Sequence, residues 1–223
     1  MVVAKPPTLL SVPDRYDPER PNLQNDLREL YGEAFVVHRL DADTSGVMVF
    51  ARHAEAHRHL SLQFQERSVV KDYIAYVRGR PPVESGKVDV PIGPAGSGRM
   101  QTRADGKPAV TWFREDGRWN TITRLALRPE TGRTHQIRVH CRYMGCPLLV
   151  DAFYGMDDAF YLSSIVKRYR TRPGQEERPL VARATLHARA LTIAHPRTGE
   201  ERRFEAGLPK DLAALQKQLD KNL

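Results

Sequence analysis

The sequence predicts an α+β fold in which short strands, paired mostly antiparallel, outnumber helices. Two observations carry this. Runs of four to nine residues rich in Val, Ile, Thr and Tyr recur along the chain, with only a few helical stretches between them. Gly- and Pro-bearing turns separate neighbouring runs at hairpin-like spacings.

The elements follow in order. Val47 to Phe50 is a compact apolar run bounded by Ser45-Gly46 and by charge, and reads as a strand. Ala54 to Glu66 reads as a helix, because Ala56, Leu60 and Phe64 recur at every fourth position. Lys71 to Arg78 reads as a strand. Residues 79–108, full of glycine and proline, predict surface turns and short extended pieces. Within them Gly93-Pro94-Ala95-Gly96-Ser97-Gly98 lacks the Gly-Lys-Ser/Thr ending of a phosphate loop, since Arg99-Met100 follows.

Ala109 to Phe113 and Trp119 to Leu127 read as strands. In the second, Trp119, Thr121, Thr123, Leu125 and Leu127 share one face. Pro129-Glu130-Thr131-Gly132 is a turn. Thr134 is expected to cap a helix from His135 to Tyr143, ended by Gly145 and Pro147. Residues 156–180 are basic and loop-rich. Leu186 to Ile193 is a further strand. Leu208, Leu212, Leu215 and Leu219 line one face of a final amphipathic helix over about residues 208–222, with Pro209 at its start.

The chain has 223 residues, enough for one large domain or two small lobes sharing a core. A net charge of +8 and a pI near 9.7 favour a polyanionic partner. Two cysteines, Cys141 and Cys146, suit a reduced cytoplasmic protein. No apolar leader or membrane-length segment is read. His53 and His57 share a helical face, but no carboxylate or cysteine completes a zinc set, so neither metal nor cofactor is expected.

The chemistry-bearing stretch is His38-Arg39-Leu40-Asp41-Ala42-Asp43-Thr44-Ser45-Gly46. Asp41 lies at the edge of a turn in which Thr44 and Ser45 can bond local backbone and Gly46 can take positive φ. Such a turn fixes a carboxylate at the mouth of the next strand. Without further context the commoner reading of such a stretch is a structural Arg–Asp pair closing a loop.

The stretch resembles the H-R-L-D-x-x-T-S-G motif of the RluA-type RNA pseudouridine synthases. The resemblance continues in order through Lys5-Pro6-Pro7, then Phe64, Lys71 and Tyr73, then Gly106-Lys107-Pro108-Ala109 with Thr111. It goes on through Thr131-Gly132-Arg133-Thr134-His135-Gln136-Ile137-Arg138-Val139-His140, Asp151 with Tyr154-Gly155, and Leu186-His187-Ala188. Thr8 and Val150 stand where the family often has glycine, and the strand before the Lys-Pro segment looks shortened. The resemblance implies a two-lobed central antiparallel sheet with flanking helices, as a single catalytic domain over residues 1–223 without an S4-like module.

It also implies an enzyme that isomerises uridine in RNA, with Asp41 as the catalytic carboxylate. Arg133 or Arg138 is implied as its cationic partner, with phosphate binding or a structural ion pair as alternatives for each. Tyr73 would stack on the uracil and assist proton loss at C5. Arg39 would help extract the target nucleotide, and Lys71 would contact the RNA. Leu40 and Ile137 would pack around the base or behind the motif. The implied partner is an rRNA or tRNA stem-loop, with no membrane or metal, bound by a monomer. A non-catalytic RNA-binding protein on the same scaffold is the alternative. A glycoside hydrolase using Asp41 and Asp43 is disfavoured, because two carboxylates on one turn do not flank a sugar. Lys167-Arg168-Tyr169-Arg170-Thr171-Arg172 either tracks RNA phosphates or is a solvated loop.

Overall fold

The computed structural model describes residues 1–170 and 174–223. In chain order the first elements are β1 (Val2–Lys5), α1 (Leu23–Tyr31), β2 (Phe35–Val36), β3 (Ser45–Ala51), α2 (Ala54–Gln65) and β4 (Val70–Arg78). There follow β5 (Ser85–Asp89), β6 (Ile92–Gly96), β7 (Arg99–Thr102), β8 (Val110–Trp119), β9 (Ile122–Pro129) and α3 (Gln136–Tyr143). Last come β10 (Leu186–Ala194), β11 (Glu201–Glu205) and α4 (Lys210–Asn222). The α+β class stands. Among the described residues no helix is long and apolar enough to cross a membrane.

The chain forms two compact units. One comprises Met1–Tyr73 and His187–Gly207, the other Ile74–Leu186 and Leu208–Leu223. In the first, β3 has β1 on one side and β10 on the other, β11 pairs with β10, and β2 pairs with β3. The β3–β10 pairing is parallel, an exception to the antiparallel pattern the sequence predicts.

All seven residues of β3 are buried, and strand geometry explains how. Side chains alternate between faces. Val47, Val49 and Ala51 therefore enter a cluster with Ala56 and Leu60 of α2, while Met48 and Phe50 enter another with Leu23 and Leu27 of α1. An apolar run covered on both sides needs no polar alternation. Burying Met48 and Phe50 stabilises by roughly 1.5–3 kcal/mol each.

Helix α2 matches its predicted span. His53 caps it, its Nδ1 accepting the Ala56 amide at 3.3 Å, and His57 bonds the Val36 carbonyl at 3.1 Å, so these two histidines are structural. Helix α1 is not among the elements read from the sequence, although Leu23, Leu27 and Leu30 stand at helical spacing; β1, β2 and β11 are too short to stand out. Strand β1 pairs over four residues, Val2 opposite Val49 through Lys5 opposite Gly46. Thr8, where the resembled family often has glycine, takes φ 61°.

In the second unit β9 lies between β4 and β8, and β5 follows β8. The predicted strand from Trp119 to Leu127 is instead a hairpin. Trp119 closes β8 opposite Ile122, which opens β9, and Asn120 turns at φ 43°. A run of β-formers without glycine hides that turn. Strand β8 continues past Phe113 through the charged residues Arg114 to Arg118, with an irregularity between Glu115 and Gly117. The Gly93–Gly98 segment is the β6–β7 hairpin, with Gly96, Ser97 and Gly98 all at positive φ.

Helix α3 begins at Gln136, and Thr134 does not cap it: His135 occupies the cap position in the left-handed region with no side-chain cap bond. The Gln136 side chain reaches back instead, its Oε1 accepting the Arg133 amide at 3.0 Å. Helix α4 seats Leu212, Leu215 and Leu219 against Tyr76, Ile122 and Leu149, and Pro209 holds its cap position with an extended backbone. Cys141 and Cys146 are free and buried. Burial raises both thiols, that of Cys146 to about 11. Of the basic segment, Lys167–Arg170 lies in turns and irregular chain, and Thr171 and Arg172 fall outside the described residues.

Gly46 marks the tightest point of the first unit. Its φ is 128°, and a Cβ there would sit 2.2 Å from the Ala188 carbonyl oxygen of β10. Gly46→Ala should therefore cost about 3–5 kcal/mol, from backbone strain and overpacking together. Urea unfolding measures this, and a loss below about 1 kcal/mol would contradict the close strand approach.

Candidate active site

Asp41 sits half-buried on a turn whose carbonyl accepts the Thr44 amide at 3.1 Å. Each neighbour of Asp41 is clamped by a buried polar group. On one side, the Ser11 hydroxyl accepts the Leu40 amide at 3.0 Å and donates to the Leu40 carbonyl at 2.7 Å. On the other, the Lys5 ammonium donates to the Ala42 carbonyl at 2.7 Å. That ammonium also binds the carbonyls of Pro6 at 2.9 Å and Leu9 at 2.7 Å.

Lys5 is 1% exposed. A buried ammonium is tolerated because its donors meet carbonyl oxygens. The loop is thus closed by Lys5 and Ser11 rather than by an Arg39–Asp41 pair. Arg39 is exposed, and its charge acts on Asp14. The sequence marked Lys5 as part of a motif but gave it no task.

Beyond the turn Ser45 bonds distant chain rather than local backbone. Its hydroxyl donates to His187 Nδ1 at 2.9 Å, while His187 Nε2 donates to the Ala206 carbonyl at 3.1 Å. A carbonyl can only accept, so the imidazole proton is on Nε2 and Nδ1 is the acceptor. Gly46 takes positive φ, as its place in the motif predicts.

Of the other first-unit residues singled out, Tyr73 feels the Asp41 charge, while Lys71 acts on His38. The Tyr73 phenol is raised above its ordinary value by burial and by the Asp41 carboxylate, so it is neutral near pH 7. Lys71 is lowered to about 8 by burial and by Arg67. His38 is lowered to about 3 by burial and by Lys71, and stays a neutral ring. Its Nε2 accepts the Val49 amide at 3.1 Å and its ring stacks on Phe64, 4.6 Å between centroids. Leu40 packs behind the motif with Met48, Phe50 and the partly buried Tyr73.

The second unit holds the other residues the sequence singled out. Arg138 is 4% exposed and gives Nε and Nη2 to the two Asp151 oxygens, each at 2.7 Å. Asp151 Oδ1 also accepts the amides of Phe153 at 2.9 Å and Tyr154 at 3.1 Å. Ile137 is buried. Arg133 donates Nε to the Pro108 carbonyl at 2.9 Å. It lines a cavity of about 620 Å³ with Arg103, Lys107 and Thr134. His140 is buried between Thr111 and the Val90 carbonyl, a structural role. His135 bonds the Tyr154 hydroxyl at 2.8 Å.

The family model described as RNA pseudouridylate synthase matches residues 1–143. A dual-specificity RNA pseudouridine synthase RluA of Escherichia coli is 38% identical over 211 residues, covering 92% of this chain and 88% of that one. A ribosomal large subunit pseudouridine synthase D of Vibrio parahaemolyticus is 41% identical over 194 residues, covering 85% of this chain and 57% of its own length. The chain thus spans little more than half of some curated relatives it matches. The structure of human RNA pseudouridylate synthase domain containing 4 superposes with a TM-score of 0.72 at 24% identity, covering 98% of this chain and 89% of that one, and shares the fold.

Lys5→Met removes three charge-assisted bonds and strands three carbonyls in an apolar setting. The expected loss is about 3–5 kcal/mol in urea unfolding. The Thr44 amide, bonded to the Asp41 carbonyl, should exchange with solvent faster in the variant, as hydrogen exchange reads directly. Unchanged exchange would mean that Lys5 does not hold the turn.

Proposed function

The chain belongs to the RNA pseudouridylate synthase family, and from that premise we propose that it converts uridine to pseudouridine in RNA with Asp41 as the catalytic carboxylate. The observation that carries the assignment is the clamped turn. Asp41 is neither entombed nor loose: it is half-buried between two residues held by Ser11 and Lys5. A reacting carboxylate needs that fixity, since small misplacements of an attacking group cost large factors in rate.

In the reaction the C1′–N1 bond breaks, the uracil turns and C1′–C5 forms. The C5 proton is lost and N1 ends protonated, so there is no net oxidation. Asp41 either attacks C1′ or removes the C2′ proton, and both roles require the anion. Tyr73 offers a ring on which the detached base can stack. Its raised pKa keeps it a phenol at neutral pH, which favours stacking and hydrogen bonding over direct proton removal at C5. Exposed Arg39, two residues before Asp41, suits nucleotide extraction or phosphate contact. Arg133 and Arg138 remain the candidate cations for the carboxylate and the RNA backbone. The net charge of +8 favours an RNA substrate. Stem-loops of ribosomal or transfer RNA are the substrate class we assign.

Tritium release from RNA labelled at C5 of uridine tests the assignment. The protein should release tritium to water. Asp41→Asn should lose on the order of 10⁴-fold in rate while still binding RNA. Tyr73→Phe, which keeps the ring, should lose only about 10–100-fold. RNA binding without release would sustain the non-catalytic reading, and liberated free uracil a hydrolase.

The lowered Lys71 gives a second test. Its charge is present below about pH 8 and is lost as pH rises through that value. If Lys71 contacts RNA, kcat/KM should fall on an alkaline limb near pH 8. Lys71→Arg, which stays charged, should push that limb upward. An unmoved limb would remove Lys71 from the interface.

A further inference from the structure

The loop after α3 presents an aromatic ring that neither the core nor the motif chemistry uses. Phe153 is 43% exposed, while the adjacent Tyr154 is 5% exposed. Single exposed apolar side chains are common and by themselves mean little. Here three features set the ring apart.

First, its backbone is rigidly fixed. The Phe153 amide is held by Asp151, which is locked in the buried pair with Arg138. The Gly155 amide closes the turn on the Asp151 carbonyl at 2.8 Å, and a Cβ at Gly155 would meet that oxygen at 2.7 Å. The turn is thus pinned at both ends to Asp151, with Phe153 exposed on it.

Second, the ring is flanked by guanidinium groups. Arg99 lies 5.7 Å and Arg138 5.4 Å from its centroid. Arg138 also holds Asp151. Arg99 is exposed on β7, and its described contact is with this ring. Third, the strand bearing Arg99 is itself fastened to the turn. The Met100 amide donates to the Tyr154 hydroxyl at 2.7 Å, and that hydroxyl bonds His135 Nδ1 at 2.8 Å. Arg99 and Phe153 are thus held in register by one tyrosine oxygen.

An exposed aromatic ring beside an exposed cation suits a planar base attached to an anionic phosphate. An acidic peptide would engage the cation but make little use of a flat apolar ring. We infer that Phe153 and Arg99 form a stacking platform for an unpaired RNA base, with Phe153 contacting the base and Arg99 its phosphate. The inference rests on the synthase reading above and adds a substrate contact to it. Tyr154 and His135 are positioning residues for the platform.

The test measures initial rates of tritium release against RNA concentration, using bulk C5-tritiated RNA from cells lacking this enzyme. Phe153→Leu keeps an apolar side chain without a π face; it should raise KM about tenfold with kcat unchanged. Phe153→Trp should stay within about twofold of the parent, since it keeps the face. Arg99→Gln should raise KM and reduce the slope of log KM against log salt by about one, whereas Phe153→Leu should leave that slope alone. Melting temperatures confirm that the leucine variant is folded, as its exposed site predicts. A leucine variant with parental KM, or one impaired only in kcat, overturns the platform while the synthase reading stands. A parent protein that releases no tritium from any RNA overturns the synthase reading and the platform with it.

Discussion

The first unit depends on one buried ammonium. Lys5 closes β1, and its charge has no water to turn to. Its carbonyl partners come from the residue after it, from Leu9 and from Ala42 in the turn that carries Asp41. An ion in such a place is stable only if its partners are held together, so the charge imposes a geometry on three stretches of chain. An apolar residue would fill the space but would specify nothing about where the turn must lie. The arrangement ties the pairing of β1 with β3 to the placement of the carboxylate.

What lies beneath that turn is equally constrained. Strand β3 begins at Ser45, directly after it, and is sealed on both faces. The strand then cannot slip by one residue without exchanging Met48 and Phe50 for Val47, Val49 and Ala51 in the two clusters. Gly46 adds a backbone approach to β10 that admits no side chain, and the Ser45–His187 bond ties the same two strands by their side chains. The fixed position of Asp41 thus comes from a strand start rather than a free loop. That is the usual way to hold a group whose misplacement would be expensive in rate.

Much of this was legible in the sequence. The apolar run of β3, the fourfold spacing in α2 and the leucine face of α4 all report burial directly, because burial is what produces those periods. The Asp41 turn stood out through the residue types a tight turn requires. Other features were hidden for physical reasons. Lys5 looks like any lysine until a fold brings Ala42 to it. The β8–β9 turn uses Asn120 and Thr121, which read as strand when no glycine interrupts them. At α3 Thr134 does not cap; His135 takes the cap position in the left-handed region, and the Gln136 side chain ties the preceding turn to β8 through the Arg133 amide and the Val110 carbonyl. The Arg138–Asp151 pair joins residues from two separately noticed motifs, and nothing in their spacing announces that they meet.

The state of the two thiols has a practical side. Cys141 and Cys146 have no accessible surface and hold their protons well past neutrality. Maleimides and iodoacetamides attack the anionic sulfur, so the native chain offers them almost nothing. A cysteine placed on the solvent side could then carry a fluorophore or spin label as the sole reactive position, without first engineering the wild-type sulfurs away.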